Sequence, residues 1–147
     1  MGKEKEVEEL WDTITDMCDV VEDEGAMVLK YMEDYLVDGD WSAIDKIAEY
    51  CRTVYRGLEE LHKLQGPPWL SINEWLGLLM RLEDWREYAK KVEELCRKFK
   101  MEAISEDRFN QALLCIYSKL CVVMSEFLEY DRLNVKRYLE YTGGESV

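Results

Sequence analysis

Residues 65–75 read QGPPWLSINEW, and the boundary they write sets the frame for the segments on either side. Gly66 suits a helix C-terminal cap. Pro67 and Pro68 cannot continue a helix, because proline lacks an amide hydrogen and its ring clashes with the preceding turn. Ser71 and Glu74 then occupy the two positions of a capping box, with Leu70 and Trp75 at those of a hydrophobic staple. One helix therefore ends near 65 and the next starts at 72. Downstream, Trp75, Leu78, Leu82, Trp85, Val92 and Phe99 recur at helical spacing and predict a helix over about 72–100. Upstream, Ile44, Ile47, Cys51, Val54, Leu58 and Leu61 do the same over about 41–65.

Ser105 can cap a last helix over about 106–142, whose stripe runs from Phe109 through Leu113, Leu120 and Phe127 to Tyr138. The polar run DRLN at 131–134 interrupts that stripe and predicts a bend or a buried polar contact. The first segment, about 4–37, carries Leu10, Trp11, Ile14, Met17, Val21, Val28 and Met32 on one face. Gly25 lies on that stripe and marks a close crossing. DGD at 38–40 ends the helix, with Gly39 suited to a left-handed cap and Asp40 able to accept from the next helix's first free amides. No alternating pattern predicts a strand. Helices joined by such short connections pack antiparallel to their sequence neighbours. The expectation is a single all-α domain spanning 1–147, an antiparallel up-down-up-down four-helix bundle. The start of the first helix and the end of the fourth then share one end of it.

Composition agrees, since 48 % hydrophobic and 12 % aromatic residues among 147 exceed what disordered chains carry. The five cysteines are odd in number, lack the paired spacing of zinc sites, and fall on or beside the stripes, so they read as reduced, buried small hydrophobes. No signal peptide and no apolar run of about 18 residues is visible, which predicts a cytoplasmic protein without a membrane partner. The formal charge of −13 argues against direct nucleic-acid binding, whose footprint is basic.

Catalytic and cofactor chemistry finds little support. Glu59 and His62 have the Glu-x-x-His spacing of di-iron bundles, but such sites need two of these motifs and two further glutamates, and His62 is the chain's one histidine. Nucleophilic triads would depend on the same residue, and no glycine-rich phosphate loop is present. A non-enzymatic protein without metal or cofactor is expected. Trp11, Trp75 and Trp85 read as core. Trp41, placed in the first turn of the second helix, and Trp69, in the Pro-Pro loop, read as separate lids at opposite ends.

The exceptional stretch is 7–25, VEELWDTITDMCDVVEDEG, with eight acids and no base. Residues 1–40 hold 14 acids against 3 bases, while the remainder is nearly neutral. Glu8, Asp12, Asp16, Asp19 and Asp23 step by three or four and form one row, flanked by Glu9 and Glu22. Like charges at such spacing cost about 0.2–0.5 kcal/mol a pair, and aspartate is a poor helix former. Three readings compete. The row is neutralised inside the bundle by Arg132, Lys136 and Arg137. It binds a basic partner by the electrostatics that bind DNA. Or it meets the basic part of the third helix (Lys90, Lys91, Arg97, Lys98, Lys100) of another copy. Tyr130, Tyr138 and Tyr141 near the end of the fourth helix are further candidates for partner contact.

Abundant Glu and Lys with scarce Asn and Gln resemble the bias of proteins from hot environments. With the acidic stretch at 7–25, the chain resembles small acidic all-helical proteins of viruses that infect thermophilic archaea. These include inhibitors that plug the DNA channel of host RNA polymerase and anti-CRISPR proteins that imitate DNA. The resemblance implies a protein that binds a basic surface of a host nucleic-acid machine from within the host cell. The alternative is a structural or virion protein that self-assembles through its helical faces.

Overall fold

The computed structural model describes residues 2–143. Five α-helices and two short irregular turns follow one another: α1 (Gly2–Val20), a π turn (Val21–Gly25), α2 (Ala26–Asp38), α3 (Ala43–Gly57), a 3-10 turn (Leu61–Lys63), α4 (Ile72–Lys100) and α5 (Glu106–Tyr141). No strand occurs among the described residues. Because α1, the π turn and α2 run on without a break, they form one rod, and the architecture is the expected four-helix bundle.

Its antiparallel order is visible in which residues meet. Asp45 pairs with Lys100 and Arg52 with Glu93 between α3 and α4. Glu74 pairs with Arg137 and Arg81 with Glu126 between α4 and α5. Trp11 stacks on Tyr138 and Tyr35 bonds Asn110 between the rod and α5. Each time the number rises on one helix it falls on its partner.

Local signals account for most boundaries. Ser71 accepts from the Glu74 amide at 3.2 Å while the Glu74 carboxylate accepts from the Ser71 amide at 2.9 Å, so the capping box at α4 is complete. Ser105 accepts from the Arg108 amide at 3.2 Å at the start of α5. Gly39, at φ 67°, adopts the left-handed cap after α2, and Asp40 accepts from the Ser42 amide at 3.0 Å. Trp41 falls in the turn before α3 rather than in its first turn.

Two features depart from the expectation. The second helix stops at Gly57 instead of about 65 and continues as a 3-10 turn. Leu58 and Leu61 both stay buried across the change, because a three-residue spacing keeps one face in a 3-10 turn as well. Gly57 is crowded by Val20, whose methyls lie within 3.0 Å of where a Cβ would stand. The first helix, in turn, contains a π turn that its spacing did not announce. Gly25 closes that turn, with Trp85 of α4 and Met124 of α5 at 3.2 Å from a hypothetical Cβ. The predicted close crossing is therefore a convergence of three helices. The polar interruption in α5 resolves as a buried contact: Asn134 accepts from the Trp69 indole at 2.8 Å.

The acidic face of the first rod as candidate functional site

The apolar residues of the rod fix where its acids point. Ile14, Met17, Cys18, Val21, Gly25, Val28 and Met32 are buried, which turns the opposite face outward. Glu8, Glu9, Asp12, Asp16, Asp19, Glu22 and Asp23 are all exposed. None of the seven forms an ion pair or a side-chain hydrogen bond among the described residues, whereas ten ion pairs involve acids elsewhere.

Neutralisation from the fourth bundle helix, one of the expected arrangements, does not occur. Arg137 turns the other way, to Glu74 and Glu140, each at 3.0 Å. The Arg132 Nε donates to the carbonyl of Leu128 one turn back, and Lys136 reaches no carboxylate among the described residues. What α5 brings to the rod is another acid, Asp131. Burial raises the Asp131 carboxyl above its ordinary range and the Asp19 charge adds to this, with the Cys18 thiol partly opposing. Glu22 is raised as well, by partial desolvation and then by Asp131, Asp23 and Asp19. The Cys18 thiol is pushed up chiefly by burial, with Asp131, Asp19 and Glu22 contributing. The π turn, with Glu22, Asp23 and Glu24, thus lies at the most concentrated negative charge of the face. Asp131 was missed in the sequence because it reads only as part of a polar interruption; its place on the stripe between Phe127 and Asn134 was the available signal.

The three tyrosines separate. Tyr130 packs toward α4, its ring 2.2 Å from where a Cβ on Gly77 would stand, with the Arg81 guanidinium 5.2 Å from its centroid. Tyr138 stacks on Trp11, centroids 3.9 Å apart and planes within 6°, and meets Trp69 edge-on at 4.9 Å. Both are half-buried and packed against neighbouring helices. Tyr141 is exposed and, together with Tyr138, borders a groove of about 400 Å³ with Lys3, Glu4, Val7 and Glu8, so these two tyrosines meet the N-terminal end of the acidic row. Trp69 is buried there, and Trp41, 54 % exposed, covers Tyr35 and Phe99 at the other end.

Other candidates settle by position. Glu59 and His62 are exposed around the 3-10 turn, outside the core. Of the bases on α4, Lys98 pairs with Glu94 and Lys100 with Asp45, while Lys90 and Lys91 lie near the Tyr55 and Tyr88 rings. Cys18, Cys51 and Cys96 are buried as expected, but Cys115 and Cys121 are exposed on the outer side of α5. By length and composition alone α5 also reaches the mark of a helix able to cross a membrane, although its run from Phe109 to Ser125 holds Asn110, Gln111, Ser118 and Lys119. Comparison with protein-family models, with curated proteins and with solved structures finds no match for this chain.

Proposed function

We propose that the chain is a non-enzymatic binding protein whose first rod occupies a basic, nucleic-acid-binding surface of a host machine, most directly the DNA channel of RNA polymerase, and inhibits it. The observation that carries this reading is the five-membered row with its two flanking glutamates, seven exposed carboxylates with no counter-charge among the described residues. From Glu8 to Asp23 the row covers about 22 Å at 1.5 Å per residue. Seven charges over that length stand about 3.7 Å apart on average along the axis, near the ~3.4 Å axial spacing of phosphates along one DNA strand. Held on a rod anchored to the bundle, such a row binds a basic channel without first paying to become ordered. Leaving it unpaired lowers the protein's own stability, a cost that suits a surface kept for a partner.

The test is competition. Wild-type protein is expected to displace labelled duplex DNA from purified archaeal RNA polymerase, with the effect weakening as salt rises. The variant with Asp12, Asp16, Asp19 and Asp23 changed to Asn should remain folded and fail to displace DNA. Equal displacement by both proteins, or none by either, rejects the reading.

A further inference from the structure

A second surface, independent of the acidic row, lies on the outer side of α5. The inner side of this helix buries Phe109, Leu113, Leu120, Val123, Phe127 and Asn134. On the outer side a second series alternates steps of four and three without a fault: Asp107, Gln111, Leu114 and Ser118, then Cys121, Ser125, Leu128 and Arg132. All are exposed except the half-buried Leu128. Only 22 % of the most apolar stretch of α5 is buried, so the bundle core does not account for its apolar character. From Phe109 to Ser125 the one charged residue is Lys119, in a chain in which 35 % are charged. Between its charged ends this face is uncharged, with Leu114, Cys121 and Leu128 as its apolar members, and a second helix can pack along it.

The ends of this seam say which helix that is. Asp107 closes it at one end and Arg132 at the other, and neither pairs with an opposite charge among the described residues. A second α5 laid antiparallel, with the two-fold axis between Ser118 and Cys121, brings Ser118 opposite Cys121 and Leu114 opposite Ser125. The same register brings Gln111 opposite Leu128 and Asp107 opposite Arg132, twice by symmetry. A parallel pairing would instead set Asp107 against Asp107 and Arg132 against Arg132. Small residues at the centre let the helices approach closely. We propose that this seam is the interface of a two-fold symmetric, antiparallel dimer of the chain, α5 against α5, with Asp107 and Arg132 setting its register.

Sedimentation equilibrium on the full chain tests this by charge reversal. Wild type should show a monomer–dimer equilibrium. R132E and D107R should each weaken it about tenfold, since each creates two like-charge contacts. The double variant R132E/D107R should recover it. Both residues are exposed, and circular dichroism checks that each variant stays folded. A wild type that remains monomeric at millimolar concentration overturns the proposal. So does a dimer indifferent to either reversal, or one that the double reversal fails to restore.

Discussion

The two sides of the bundle treat their carboxylates in opposite ways. At the junctions of α3, α4 and α5, three acids are matched to bases on the neighbouring helix: Glu93 receives Arg52 at 2.6 Å and Tyr55 at 2.9 Å, Glu126 receives Arg81, and Glu74 receives Arg137. Along α1 and the π turn, acids face solvent unmatched, and the neighbouring helix adds Asp131 to them. On the first side charge joins helices; on the second it opposes the fold locally. The difference teaches that the excess of −13 is not spread evenly for solubility but concentrated where packing leaves a face open.

The largest effect should come from breaking the matched side at its closest approach. Gly77→Ala forces a Cβ toward the Tyr130 ring, 2.2 Å away, one turn from Arg81. It should cost about 2–3 kcal/mol in urea unfolding, because the Tyr130 ring must leave its seat against α4 and its place beside the Arg81 guanidinium. Next, Glu93→Ala should cost about 1–2 kcal/mol, since it leaves the Tyr55 hydroxyl and Arg52 guanidinium without their acceptor. An equal loss from Asp16→Ala would erase the contrast between the two sides.

A pH series sharpens it further. The folded Asp131 carboxyl lies above its unfolded range, so the native state holds the proton more tightly and stability from this group rises as pH falls through its folded pKa. Asp131→Asn should therefore raise the melting temperature at pH 7 by a few degrees, with the gain fading on acidification. Glu74 behaves oppositely. Hydrogen bonds from the Ser71 amide, then from Arg137 and the Ser71 hydroxyl, hold its carboxyl low against some desolvation. Its contribution is present above the unfolded carboxylate range and is lost as pH falls through its folded pKa, so the deficit of Glu74→Gln should shrink on acidification. The smallest effects belong to the row itself: Asp12→Asn or Asp16→Asn should stabilise by no more than about 0.5 kcal/mol each. A measurable loss from either would mean the row is structural.

How much of this was legible follows from the range of each interaction. The capping box at Ser71, the cap at Ser105 and the left-handed turn at Gly39 involve atoms a few residues apart, so residue type and spacing sufficed. The direction of Arg137 could not be read, because it sits within reach of helices on two sides and only their packing places Glu74 at 3.0 Å. Tyr130 and Tyr138 looked free for the same reason; their partners Gly77 and Trp11 are remote in sequence. Cys115 and Cys121 were misjudged because both stand beside the buried stripe of α5 rather than on it, and periodicity does not say how wide the buried face is.

The sequence alone determined that the chain forms long amphipathic helices with short connections, and that the first carries an acidic row, because helical periodicity and capping are local. The tertiary structure decided that the row stays unneutralised, that Asp131 joins it, and that the rod takes a π turn where Gly25 meets Trp85 and Met124. Those outcomes depend on how far apart and at what rotation three helices pack, which follows from how their side chains interlock and from no single segment.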